Sequence, residues 1–146
     1  EPSPFKAAIF ICGGAPLLLA EDLGFHISAE VWERDRVGRE ALLAQADSEA
    51  ILAKGSERWT GSGAGGEVTE EEIRRDLQGP YSIGIPTVHV YGNKDPRYTA
   101  GVQLSGLSDD DKRREFDHGG GHEIPRTEAV SREIAGLVRW VLHLGG

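Results

Sequence analysis

The sequence holds no methionine and a single cysteine, Cys12. One thiol has no partner for an internal disulfide, so nothing in the cysteine usage points to an oxidising compartment, and a cytoplasmic setting is the expectation. Long apolar runs are missing too. None approaches the roughly 20 residues that cross a bilayer, which excludes a membrane-spanning helix. Positive charge is scarce: 16 Lys and Arg stand against 24 Asp and Glu, a formal net charge of -8. Binding to a phosphate backbone needs a clustered basic face, so no nucleic-acid partner is expected. The only dense basic run, Lys112-Arg113-Arg114, follows directly on Asp109 to Asp111 and reads as a solvated turn with local ion pairs. The opening Glu1-Pro2-Ser3-Pro4 reads as a loop entering a strand. Together with the missing methionine it suggests a fragment whose natural start lies elsewhere, so the lack of a signal peptide carries no information.

What remains is a chain of 146 residues with 20 glycines, the size of one globular domain. Phe5 to Cys12 is a nearly continuous apolar run closed by Gly13-Gly14, the pattern of a strand buried on both faces of a parallel sheet. Ala15 to Leu19 continues apolar across Pro16, as core or as the wall of a site. Gly38 to Lys54 is rich in helix formers and predicts a helix stopped by Gly55. Gly61 to Gly66 lacks the Lys-Ser/Thr end of a phosphate cradle and reads as a flexible loop. Thr69 with Glu72 is a capping-box pattern for a short helix through Leu77. Pro86 to Tyr91 predicts a second strand, and Pro96 to Lys112 a polar connection in which Ser108 caps a turn. Glu115 to His118 predicts a third strand. A helix capped by Thr127 follows, in which Val130, Ile134, Leu137, Val138, Val141 and Leu142 recur at three and four residue spacing. Strand, helices, strand, connection, strand, helix implies right-handed crossovers and a parallel α/β sheet flanked by helices. Three strands are few for such a sheet, and the apolar Phe5 to Cys12 edge invites pairing with further chain.

The second and third strands both run into glycine-rich turns that carry a proton-transfer residue, Asp95 in G-N-K-D-P and His122 in H-G-G-G-H. Neighbouring parallel strands lie about 5 Å apart, so a carboxylate after one can reach an imidazole after the next. Acid then histidine is the second half of the α/β-hydrolase order of nucleophile, acid, histidine. The nucleophile is what the sequence lacks: no serine sits in a G-x-S-x-G elbow, Ser82 and Ser108 each matching half of it. Cys12 stands upstream and would restore the order, against the ordinary reading of a buried, inert thiol. His118 and His122 form an H-x-x-x-H pair for zinc with Asp117 or Glu123, although on a strand and loop that spacing does not bring both rings to one face. His89, inside a strand, reads as a satisfied structural histidine, and His26 and His143 carry no signal.

The runs F-I-C-G-G-A-P-L-L, I-P-T-V-H-V-Y-G-N-K-D-P-R-Y and D-H-G-G-G-H-E-I-P-R resemble the C-terminal half of the fungal FSH-type serine hydrolases, a branch of the α/β-hydrolase superfamily. The resemblance spans nearly the whole chain and is weakest from Glu57 to Glu67. It implies that residues 1–146 are the C-terminal part of a single hydrolase domain, incomplete without an N-terminal half, with Asp95 as the acid and His122 as the base. The serine elbow and the oxyanion-hole turn would lie upstream, in an N-terminal partner half. The activity implied is that of a serine esterase or thioesterase on a small acyl substrate, a fungal secondary metabolite or a synthase-bound acyl group included, with no metal or organic cofactor. The alternative is a non-catalytic half-fold serving as a binding or partner module. Hydrolase pockets are mostly apolar, so the connection from Leu17 to Trp59 is expected to wall the site, with Trp32 or Trp59 as the substrate-binding aromatic.

Overall fold

The computed structural model describes residues 4–43 and 69–145. Strands β1 (Ala8–Ile11), β2 (Thr87–Tyr91) and β3 (Arg113–Asp117) form a parallel sheet in the order β1-β2-β3. The register sets Phe10 beside His89 and His89 beside Glu115. All of β2 is buried, as a central strand must be when helices cover both faces. On one face Val88 and Val90 pack against Leu137 and Val141 of the C-terminal helix, Glu128–Gly145. On the other, Tyr91 meets Ile73, Tyr98 and Val102. This is part of an α/β-hydrolase fold, the class expected. β1 lies at one edge, so Phe5 to Cys12 is not buried on both faces as expected: no residue of β1 is fully buried, Ile9 and Ile11 are about two-fifths exposed, and Phe5 is 69% exposed.

The helices in chain order are α1 (Leu17–Asp22), α2 (Ala29–Leu43), α3 (Glu70–Arg74), α4 (Tyr98–Ser105) and α5 (Glu128–Gly145). Thr127 Oγ1 accepts from Val130 N at 3.2 Å, and Thr69 Oγ1 from Glu72 N at 3.2 Å, so both side-chain caps form. α3 is a single turn and stops at Arg74, short of Leu77. Pro16 is the residue that starts α1, which follows β1 closely.

Two segments depart from expectation. α2 begins at Ala29, well before Gly38. Its early part, E-V-W-E-R-D-R-V, has no apolar stripe to signal a helix and is held by ion pairs along its own surface, Arg36 to Glu33 and Glu40, and Arg39 to Asp35. Residues 44–54 of the expected Gly38 to Lys54 helix, and the Gly61 to Gly66 loop, lie outside the described residues. The second departure is larger: the polar connection Pro96 to Lys112 contains α4, every residue of which is buried. Its polar side chains are satisfied internally, Gln103 Nε2 on Asp76 Oδ2 at 3.0 Å and Ser105 Oγ on Val102 O at 2.6 Å. Small residues allow the close approach: a Cβ on Gly101 would sit 3.3 Å from Tyr91 Cβ. Ser108 caps no turn and instead bonds His89 Nε2 at 3.2 Å. The basic run is also more structural than a solvated turn. Arg113 is nearly buried, donates to the carbonyls of Ser105 and Ser108, and pairs with Glu115, while Arg114 lies 4.4 Å over the Trp140 ring. Among the described residues no helix is long and apolar enough to cross a membrane.

His89 is a structural histidine with a measurable consequence. It is 1% exposed, stacks on Phe10 at 5.1 Å, and shares Nε2 with the hydroxyls of Thr87 and Ser108, but it is only half satisfied, because its buried Nδ1 has no hydrogen-bond partner. Burial, then the charges of Arg113 and Arg74, push its pKa down from 6.5 to about 4. The unfolded chain therefore takes up a proton that the folded one refuses, so the stability His89 contributes is present above pH 6.5 and lost as pH falls toward 4. The full loss is of order 3 kcal/mol. Urea denaturation across this window should show a falling midpoint, and His89→Gln should flatten the dependence; an unchanged slope would show that another group carries it.

Candidate active site

Parallel strands end on the same side of a sheet, so the turns after β1, β2 and β3 converge. The turn after β2 is tight: Asp95 N donates to Gly92 O at 3.0 Å. Lys94 N reaches across to Gly120 O at 3.0 Å and ties it to the turn after β3. That second turn is shaped by Asp117 Oδ1, which accepts from Gly119 N at 2.8 Å and from Asn93 N at 3.0 Å. Gly119 has φ +76, where a side chain is strained, and Gly92 has no room for one because a Cβ there would lie 2.1 Å from Gly120 O.

These turns bring Asp95 and His122 together. Asp95 is 1% exposed, and its two carboxylate oxygens have separate work. Oδ1 accepts the backbone N–H of Arg97 at 2.7 Å, and Oδ2 accepts from His122 Nδ1 at 2.7 Å. With Nδ1 as the donor, the other ring nitrogen, Nε2, is left as the acceptor on a side chain 41% exposed. An imidazole held in one tautomer by a buried carboxylate, with its free lone pair toward solvent, is the arrangement of a general base and its orienting acid.

The Asp95 turn is held from outside by α2. Arg97 donates to Asp35 Oδ1 at 3.0 Å and to Asp35 O at 3.3 Å, and the nearly buried Asp35 also pairs with Arg39 at 2.8 Å. α2 presses so closely that a Cβ on Gly38 would be 2.6 Å from Pro96 O. Sequence reasoning did not find Asp35 or Arg97. The signal was slight: Arg97 lies two residues after Asp95, and Asp35 and Arg39 have i, i+4 spacing within a helix that itself was not expected there.

Beside the pair lies a cavity of about 470 Å³. Leu17, Leu18, Trp32 and Leu42 form its apolar wall, Asp35, Arg39 and Arg97 a charged one, and Cys12, Gly13 and His122 border it. Ala15 to Leu19 is thus both core and wall, Leu17 being buried and Leu18 71% exposed. Trp32 stands on the cavity; Trp59 lies outside the described residues.

Cys12 adopts φ +53, a left-handed backbone unusual for a residue other than glycine. It faces Asp95 and His122: ligand-type atoms of the three residues all lie within 4.8 Å of one another. Burial, then the negative charge of Asp95, pushes the thiol above its ordinary pKa of 9.0, so it is protonated at neutral pH. That is the opposite of an activated thiolate. The H-x-x-x-H metal arrangement does not form among the described residues. His118 Nδ1 accepts from Gly120 N at 3.1 Å within its own turn, and the metal-type group that does assemble leaves His118 out.

The chain is 28% identical over 126 residues to esterase FPY3 of Fusarium mangiferae, a match covering 86% of this chain and 38% of that protein. It is 39% identical over 63 residues to esterase alnB of Emericella nidulans, covering 42% of this chain and 22% of that protein. The chain therefore spans well under half the length of these curated relatives. No solved structure matches it significantly. The family model described as serine hydrolase (FSH1) matches residues 1–134. With that match over most of its length, and a parallel sheet whose strand ends carry a paired acid and histidine, the chain belongs to the FSH1 serine hydrolase family.

Proposed function

We propose that this chain is the C-terminal part of a single α/β-hydrolase domain and supplies the acid and base of a serine esterase. The observation that carries the reading is the 2.7 Å hydrogen bond between His122 Nδ1 and the buried Asp95 carboxylate, at the border of a largely apolar cavity. His122 Nε2 takes the proton of a serine hydroxyl as that oxygen attacks the acyl carbonyl, and the imidazolium then gives the proton to the departing alcohol or thiol. Asp95 fixes the tautomer and stabilises the imidazolium. Water repeats the sequence on the acyl-enzyme. The chemistry uses no metal or organic cofactor.

The serine, on a tight strand-to-helix turn, and the donors for the oxyanion come from an N-terminal half, which also pairs with the open edge of β1. The substrate is a small acyl ester or thioester of fungal secondary metabolism, free or carrier-bound, with its acyl group against Leu17, Leu18, Trp32 and Leu42. Two relatives with esterase in their names support the ester class.

The test is to express residues 1–146 alone and joined to the upstream segment, and to assay a short acyl ester together with a serine-reactive fluorophosphonate probe. Hydrolysis and labelling should arise only with both halves and vanish on His122→Ala. A complete protein that folds, binds small acyl ligands and neither hydrolyses nor labels would make this a binding module. Hydrolysis by the isolated chain that is lost on Cys12→Ala would move the nucleophile to the thiol.

A further inference from the structure

We propose that Cys12, Asp95 and His122 together form a binding site for a thiophilic divalent cation, Zn²⁺ or Cd²⁺, whose occupation switches the acid and base pair off. The three residues come from the ends of three adjacent strands, β1, β2 and β3, so the site is built by the sheet rather than by one flexible loop. They offer a sulfur, a carboxylate oxygen and an imidazole nitrogen, the donor set that tetrahedral zinc takes with one position left to water. Their ligand-type atoms lie within 4.8 Å of one another. Bonds of about 2.0 to 2.3 Å in a tetrahedral sphere put ligand atoms roughly 3.3 to 3.7 Å apart, so a cation entering between Asp95 Oδ2 and His122 Nδ1, now 2.7 Å apart, needs a shift of under about 1 Å that parts them. His122 can supply that shift, because its side chain is 41% exposed whereas Asp95 is fixed by burial and by the Arg97 N–H. The left-handed backbone of Cys12, φ +53, sets it at the border of the same cavity as His122, which gives the cation an entry path and its open position access to water.

Binding exchanges the thiol proton for the metal: the S–H bond breaks, the proton leaves to solvent, and the sulfur lone pair bonds to the cation. Affinity for the cation therefore rises with pH. The ring coordinates through Nδ1, the nitrogen that faces Asp95; the Nδ1 proton moves to Nε2, which becomes a donor and accepts nothing from a serine, so His122 ceases to be a base. Magnesium and calcium favour six or more oxygen ligands and should not bind, since the site offers one carboxylate.

The switching half of this inference rests on the esterase reading; the binding half does not. In the complete protein, Cd²⁺ titration should produce one equivalent of the ultraviolet thiolate-to-cadmium absorption band, reversed by chelator, untouched by excess Mg²⁺, and tighter at pH 8 than at pH 6. The band should be missing in Cys12→Ser and in Cys12→Ala, two variants of different polarity in case one folds badly. Calorimetry should show affinity at least tenfold weaker in His122→Ala and in Asp95→Asn. The Cd²⁺ concentration that halves ester hydrolysis should rise at least tenfold in Cys12→Ser, whatever the basal rate of that variant. Binding that depends on Cys12 alone would reduce the site to a simple thiol adduct and overturn the inference, as would the lack of a Cys12-dependent band. A band with the expected variant dependence in a protein that hydrolyses nothing would keep the metal site and sink the esterase reading. Hydrolysis indifferent to Cd²⁺ at saturation would sink the switch and leave the esterase.

Discussion

Asp95→Asn, in the protein that carries the serine, should lower kcat on a short acyl ester by about 10⁴-fold while leaving the unfolding midpoint within a few degrees. The substitution keeps size and shape in a site that is 1% exposed, so packing is preserved. What changes is who donates. Oδ1 must remain an oxygen, because it accepts the Arg97 backbone N–H at 2.7 Å. The amide nitrogen then occupies the Oδ2 position, 2.7 Å from His122 Nδ1, and offers a proton where the carboxylate accepted one. Nδ1 becomes the acceptor, the ring proton moves to Nε2, and the nitrogen that faces the substrate no longer takes a proton. The lost negative charge also removes the partner of the imidazolium. Steady-state kinetics, with nitrogen NMR to read the His122 tautomer, check both parts. A variant within tenfold of the wild type would show that Asp95 is a turn residue and not the orienting acid.

Gly92→Ala should have the largest effect of any single methyl group near the site. Its Cβ would stand 2.1 Å from Gly120 O and 2.4 Å from His118 Cε1. The first neighbour is backbone, so no side-chain rotation relieves the clash, and the turns after β2 and β3 must separate. Overpacking of this kind costs about 3 kcal/mol. The separation strains the 3.0 Å bond from Lys94 N to Gly120 O and carries His122 away from Asp95. A displacement of about 1 Å at the reacting group costs roughly 10²-fold in rate. Urea denaturation and ester kinetics should thus fall together. Gly136→Ala is the control: nothing lies within 4 Å of its Cβ, and on α5 it should stabilise by about 0.5 to 1 kcal/mol without touching the rate. Equal effects of the two substitutions would mean that the Gly92 contact is not what holds the turns.

The parts of the site that were legible in the sequence are those fixed by short-range chemistry. A strand followed by a glycine turn and an acid, or by glycines and a histidine, is a local pattern, and parallel pairing then brings the two ends together with no further information. The missing parts are those whose signal lies in a distant partner. α4 reads as polar because Gln103, Ser105 and Thr99 look solvated, yet it is fully buried, with Gln103 and Ser105 bonded to Asp76 and to a main-chain carbonyl. α2 shows no apolar stripe because its buried face mixes Val31 and Trp32, which pack on a core cluster, with Asp35, which pairs with Arg39 beside the cavity.

The sequence by itself determined the fold class, the three strands and their order of use, the capped C-terminal helix, and the pairing of an acid with a histidine. The strands, their order and the cap follow from periodicity, from caps and from turn chemistry within a few residues, and the reading of Asp95 and His122 as a pair drew also on the family resemblance. Only the tertiary structure decided that Asp95 is buried with both oxygens engaged, that Arg97 and Asp35 lock its turn to α2, and that Trp32 stands on the cavity. It alone set Cys12 beside Asp95 and His122. Burial and charge environment depend on which segments meet, and segments such as Asp35 and Arg97, 62 residues apart, meet only when the chain has folded.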